Sequence, residues 1–517
     1  MKNSYKSIFF VLGLAVLLNA CEGQGDSLIN DRLEDNPLPT IPEYTSGSAD
    51  FSNYVSIGAS FTAGYADGAL YNLAQQNSFP SMIASSFGAT VDGGITFQQP
   101  DINSEKGFNT SVGQAADTPN PLGRFKLDTS IPGPSPTIGG DPIGPYSGPQ
   151  VHNFGVPGIQ VGQLVTPLTG GPADPANPAF NPFYQRFASA PGTSTILGDV
   201  VATQPSFFTM FIGGNDVLGY AVSGGSNDAI LTDAATFQAA FGAVISTLMS
   251  STSADGAIMD IPFFLGIPLF QAVPYNAIPL TDQASVDALN AGYAAYNGGL
   301  QVALAGSLIT AEEAARRTIN FALGANAFVM EDESLTDLSG LGLPNYRQSE
   351  PTDLTLISAA SAFPTGVGTQ TPAGDALVLT PEEQAQIETS RQTFNGIIAA
   401  IVSDPTISDR IAYIPATPFA NPIDPTSCTT GTFCDIFGFT DGRPGITIEG
   451  VNLAPDFSPN GIFSTDGLHL NPRGAAIFAN EWIDAIEAKF SALLPSVSVN
   501  DLPSVVVCGI GDCLSEQ

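Results

Sequence analysis

The sequence predicts an α/β fold, a parallel sheet flanked by helices, and three observations predict it. Five short apolar runs, Tyr54–Ile57, Val151–Asn153, Phe207–Ile212, Ile258–Ile261 and Ile411–Ile414, each give way to glycine, proline or a polar turn. That is the pattern of strands buried on both faces. The stretches between them repeat apolar residues at helical spacing. The 517 residues are 43% apolar and 12% charged, too apolar for a disordered chain.

The helices carry their own signals. Val286, Leu289, Tyr293, Tyr296, Leu300 and Leu304 fall on one helical face. Thr310–Glu313 and Thr380–Glu383 both have the spacing of capping boxes. After the second, Ile387, Phe394, Ile397, Ile398 and Ile401 make one apolar stripe, and Asn471 before Pro472 starts a helix running toward Trp482. Residues 95–150 are rich in glycine and proline and read as a loop insertion; 270–400 read as a helical insertion. The expected organisation is one domain over 51–493 with these two insertions, and a tail at 494–517 closed by a disulfide.

Charge excludes whole classes of function. Lys plus Arg number 15 against 49 Asp plus Glu, a net charge of −34. Such a surface repels phosphate, so nucleic acid is not a partner, and a polybasic membrane patch is ruled out for the same reason. Oligomeric state is not legible.

Residues 1–21 read as an export signal: Lys2 and Lys6, then an apolar run from Ile8 to Leu18 that is too short for a permanent membrane span. No other run reads as long enough to span. The run ends in Leu18-Asn19-Ala20-Cys21, which resembles the lipobox of bacterial lipoproteins. The resemblance implies lipidation of Cys21 and an exported lipoprotein anchored to the outer membrane through it; an ordinary secretory signal cleaved after Ala20 is the alternative. Residues 22–50, polar and proline-rich, read as a flexible tether. Cys428, Cys434, Cys508 and Cys513 remain, and an oxidising compartment favours two disulfides in one of three pairings. The short loops favour Cys428–Cys434 with Cys508–Cys513. A zinc site is disfavoured, because the spacings are wrong and no histidine is near either pair.

The chain has two histidines, His152 and His469. His469 lies three residues after Asp466 with Gly467 between, so one tight turn can bring a carboxylate beside the imidazole. At the other end, Tyr54-Val-Ser-Ile-Gly-Ala-Ser60 reads as a strand, a sharp turn and a helix start, which exposes a hydroxyl and a free N–H at one point. Phe211-Ile-Gly-Gly-Asn215-Asp216 and Asn153-Phe-Gly155-Val-Pro-Gly158 both follow strands. They offer an amide side chain and a closely approachable backbone N–H to developing negative charge. His152 and Asp216 read as structural, and Phe263, Phe264 and Phe270 as core residues or an acyl-pocket wall.

Taken in order, Gly-x-Ser, Asn-to-Gly, Gly-Gly-Asn-Asp and Asp-x-x-His resemble the SGNH (GDSL-type) ester hydrolases, over roughly residues 54–490. One departure is Ala59, where that family's name-giving pattern has aspartate. The resemblance implies a three-layer sandwich and a Ser60–His469–Asp466 triad. It also implies an oxyanion hole made by the Ser60 N–H, Gly158 (or Gly155 in another register) and the Asn215 amide. Lipid-anchored bacterial members are similar around Tyr54–Pro80 and Ser464–Asp484. The implied function is a serine carboxylesterase or lipase acting on small-molecule, lipid or glycan acyl esters without metal or organic cofactor. The alternative is a non-catalytic surface lipoprotein of the same fold that binds glycans or other ligands.

Overall fold

The computed structural model describes residues 42–115, 118–128, 133–416 and 445–508. Cys21, Cys428, Cys434 and Cys513 lie outside the described residues, as do the export signal and most of the tether. From Thr45 onward the described residues belong to a single unit.

Five parallel strands form the central sheet: β1 (Tyr54–Gly58), β2 (Asn153–Gly155), β3 (Phe207–Phe211), β4 (Asp255–Met259) and β5 (Ile411–Ile414). Their spatial order is β5-β4-β3-β1-β2. All five expected runs contribute a strand, with two displacements. β2 begins where its run was expected to end, in a register that pairs Asn153 with Ser56. β4 stops at Met259, because the N–H and C=O of Ile261 are both taken by the side chain of Asn395, so the ladder cannot continue.

The principal helices are α1 (Ser60–Ala63), α2 (Phe79–Gly88), α3 (Asn215–Val222), α4 (Ala234–Ser251), α5 (Gln283–Ala305), α6 (Pro381–Val402) and α7 (Pro472–Phe490). Strand alternation sends Phe207, Thr209 and Phe211 to one face of the sheet. There α2 and α7 pack together. The Phe207 ring meets Phe87 at 5.3 Å and Phe490 at 5.5 Å, while Phe211 meets Phe478 at 5.3 Å. Phe478 is fully buried, and its loss as Phe478→Ala would cost about 3–5 kcal/mol. Phe208 and Met210 point to the other face, where α6 packs on both α3 and α4 and Phe394 stacks on Phe237 at 4.1 Å. Gly256 lets β4 approach, since a Cβ there would lie 2.4 Å from the Phe208 ring. The expected parallel sheet with flanking helices is therefore present.

Among the described residues one helical stretch, Asp228–Ser251, which comprises α4 and the turn before it, is long and apolar enough to cross a membrane, contrary to the expectation that no run after the signal would be. It qualifies because its alanines and large apolar residues raise the mean hydropathy. Phe237, Phe241, Val244, Ile245 and Leu248 on it are nevertheless buried in the core around the sheet.

The 270–400 segment is less helical than its pattern suggests. It holds α5 but also antiparallel pairs joining Ile278–Leu280 to Gly324–Asn326, Val329–Glu331 to Tyr346–Gln348, and Leu354–Thr355 to Val378–Leu379. Two satellite cores, one around Leu300 and Ile319 and one around Phe328 and Met330, stabilise it. Its last helix, α6, belongs to the sheet layer instead: Ile387, Phe394 and Ile398 join the main core. The Thr380–Glu383 capping box forms in full. At Thr310 only half forms, because the Glu313 carboxylate turns to Thr336 and Arg317.

The 95–150 segment folds around a strand pair, Leu122–Asp128 with Pro134–Ile138. Val507–Cys508 adds a third, parallel strand. The tail is thus tied to the insertion, and to α7 through paired bonds between Asn480 and Val497. Cys508 is disulfide-bonded.

Candidate active site

In a sheet of order 2-1-3-4-5 the chain reverses direction between β1 and β3, and a crevice opens at their carboxyl ends. Ser60 follows β1 and Asn215 follows β3, so the topology alone brings these two residues to one place.

Ser60 is positioned by close packing. Gly58 ends β1 where a Cβ would lie 2.4 Å from the Phe211 carbonyl oxygen, so only glycine fits. The chain turns at Ala59 and enters α1 with Ser60 as its first residue, and Gly64 closes that turn at φ +72°. The leading N–H groups of such a turn have no intrahelical acceptor and remain available to a ligand.

Asn215 heads α3 after Gly213 and Gly214. Its amide donates to the Ile159 carbonyl at 2.8 Å, leaving its second N–H for a ligand. Ile159 follows Gly158, which is exposed and sits at φ +80° after Pro157, the signature of a type II turn. The Gly158 loop and the Asn215 side chain are therefore fixed to each other. Asp216 secures the same loop, accepting from the Val161 N–H at 2.9 Å and the Thr232 hydroxyl at 2.9 Å. Burial pushes its pKa up to about 6. Gly155 is packed against α1, where a Cβ would lie 2.2 Å from the Ala63 nitrogen.

The expected turn between Asp466 and His469 is present. Gly467 takes φ +74°, and His469 Nδ1 lies 2.8 Å from Asp466 Oδ2. Asp466 also accepts from the N–H groups of Gly68, Leu468 and His469 and from the Ser464 hydroxyl. Burial opposes its charge, but the His469 imidazole and these donors hold the carboxyl well below the usual carboxylate range. The bond to Nδ1 leaves Nε2 as the free nitrogen. The imidazole packs against Phe61, next to Ser60, at 5.4 Å and against Tyr65 at 4.9 Å.

One pocket joins these parts. Ser60, Asn215 and Leu468, the neighbour of His469, line it, together with an apolar wall that includes Leu218, Phe264 and Ile267. Of the three phenylalanines considered as an acyl wall, Phe264 lines the pocket; Phe263 and Phe270 are buried in the core. His152 is elsewhere. It precedes β2, at the far end of that strand from the crevice, and its Nδ1 accepts from the Gln98 N–H at 3.0 Å.

Sequence reasoning missed the support behind Asp466. Asp67, itself buried at φ +54°, accepts from the N–H and hydroxyl of Thr465 and from the hydroxyl of Tyr71. Arg124, from the 95–150 segment, lies 3.6 Å from Asp67 and over the Tyr71 ring at 4.1 Å. The Asp67-Gly68 pair is a visible turn signal, but Thr465 and Asp466, which it holds, lie almost four hundred residues away.

No protein-family model matches the chain, and no curated protein and no solved structure matches it either.

Proposed function

We propose that this chain is a serine ester hydrolase of the SGNH kind, exported as a lipoprotein and anchored by Cys21 at the outer membrane. One observation carries the reading: Ser60 and Asn215, at the ends of adjacent strands, wall one apolar pocket beside a buried Asp466–His469 pair. A structural carboxylate–imidazole pair has no need of a serine and an amide around the same crevice.

In the mechanism, His469 Nε2 takes the Ser60 hydroxyl proton as Oγ attacks the ester carbonyl. Asp466 holds the tautomer and stabilises the imidazolium. The Ser60 and Gly158 N–H groups and the Asn215 amide receive the oxyanion, and the alcohol leaves with the proton from His469. Water, deprotonated by His469, then cleaves the acyl-enzyme and releases the acid. A pocket with an apolar wall favours esters of apolar acyl groups.

The test is hydrolysis of nitrophenyl esters from acetyl to palmitoyl by purified protein, beside Ser60→Ala, with fluorophosphonate labelling located by mass spectrometry. Turnover lost in Ser60→Ala and label on Ser60 are expected. Folded protein with neither turnover nor label would sink the hydrolase reading and leave the ligand-binding one.

A further inference from the structure

We propose that Glu333, Asp375 and Glu383 hold a calcium ion that ties the strands of the 270–400 segment to the start of α6, beside the loop that follows α3. One carboxylate oxygen from each of the three lies within 4.8 Å of the other two. The residues come from three separate places: Glu333 after the strand Val329–Glu331, Asp375 in the turn Asp375–Leu377, and Glu383 in the first turn of α6.

Proximity of acidic groups alone would mean little, but Glu383 adds an independent sign. It is 8% exposed, and its two oxygens are used unequally. Oε2 completes the capping box, accepting from the Thr380 N–H at 2.6 Å and from its hydroxyl at 2.8 Å. Oε1 is shut off from solvent and has no hydrogen-bond partner. A buried carboxylate oxygen without a donor calls for a proton or a cation. The chain also makes room for it. Gly225, just past the end of α3, sits at φ +74°, and a Cβ there would lie 2.3 Å from Oε1. Gly224 beside it would meet the Asp375 backbone at 1.9 Å in the same way. Two consecutive glycines thus bring the end of α3 against the carboxylates.

The donor set selects the ion class. Carboxylate oxygens without nitrogen or sulfur suit a hard cation. Calcium accepts irregular, partly aqueous oxygen shells at about 2.3–2.6 Å, whereas magnesium demands near-ideal octahedral geometry at roughly 2.1 Å and gives up its waters reluctantly. The titration behaviour agrees. Burial first, then the neighbouring carboxylates, push Glu383 up to about 7 and Asp375 up to about 6. Nothing in this assignment depends on ester hydrolysis.

The experiment is thermal unfolding and isothermal calorimetry of the full chain, stripped with EGTA and titrated with calcium chloride. Magnesium and sodium chloride at matched ionic strength are the controls. Calcium is expected to raise Tm and give a saturable one-site heat with Kd of roughly 10⁻⁴–10⁻³ M, the range of extracellular modules. Magnesium is expected to be at least tenfold weaker. Glu383→Gln should abolish the response. Glu333→Gln, an exposed change that leaves folding intact, should weaken binding at least tenfold. A Tm unmoved by calcium, a response matched by sodium chloride, or full calcium binding in Glu333→Gln would overturn the site and leave a shared proton between Glu383 and Asp375.

Discussion

The backbone N–H of Gly68 donates to Asp466 Oδ2 at 3.0 Å, the same oxygen that faces His469 Nδ1. The orientation of the imidazole is thereby referred to a turn near the start of the domain, which Arg124 pins through Asp67. On the hydrolase reading these are positioning residues. Asp67→Ala removes the acceptor for Thr465, leaves Arg124 facing no carboxylate there, and puts alanine at positive φ. It is expected to lower kcat roughly ten- to a hundredfold with KM little changed. Asp67→Asn keeps an acceptor oxygen and tolerates the backbone, so it should restore most of the rate. Steady-state kinetics of the two variants check this, and equal losses in both would refute it.

Asn215 is expected to matter to the transition state rather than to substrate affinity. Asn215→Ala removes an oxyanion donor and should lower kcat by about 10²–10³, or roughly 3–4 kcal/mol. It also releases the bond to Ile159, so the Gly158 loop should loosen with it. Asn215→Asp keeps the shape but replaces the donor with a negative charge, and should be at least as slow. A variant that changes KM alone would place Asn215 outside the oxyanion hole.

The pocket wall gives a prediction about chain length. Leu218, Phe264 and Ile267, all apolar, line the same pocket as Ser60. Phe264→Ala should enlarge the pocket and move the optimum of the nitrophenyl ester series toward longer acyl chains. Leu218→Trp should shorten it. An optimum unchanged in both variants would show that the acyl group binds elsewhere.

Much of the sheet was legible because buried parallel strands announce themselves as short apolar runs closed by glycine or proline, as at Tyr54–Gly58 and Phe207–Phe211. The residues of the candidate site were legible for a related reason. Each stands at a strand end or in a turn that only glycine permits, and those turns leave local marks. What was not legible depends on distant partners. Helical spacing around Val286 and Ile387 said nothing of the two-residue and three-residue strand pairs between them, which are too short to show alternation. The bond from Gly68 to Asp466 and the meeting of Glu333, Asp375 and Glu383 are products of tertiary folding alone. The Thr310 box failed for the same reason, since a nearby loop competed for Glu313.

The final prediction concerns stability against pH in calcium-free buffer. Asp216, Asp375 and Glu383 are raised by burial to about 6, 6 and 7. A carboxyl raised in the fold binds its proton more tightly there than in the unfolded chain. Stability should therefore fall as pH rises from about 4 to 7, and remain at its lower value above that. Asp466 acts in the opposite sense. Its lowered pKa favours the fold above the unfolded value of about 4, and that contribution is lost as pH falls further. The net charge of −34 reinforces the alkaline limb by self-repulsion. Tm is thus expected to be highest near pH 5, below the neutral range where many proteins are most stable. Glu383→Gln removes the group raised furthest and should flatten the fall between pH 5 and 7. A Tm that instead climbs steadily from pH 5 to 8 would contradict the burial that raises these carboxyls.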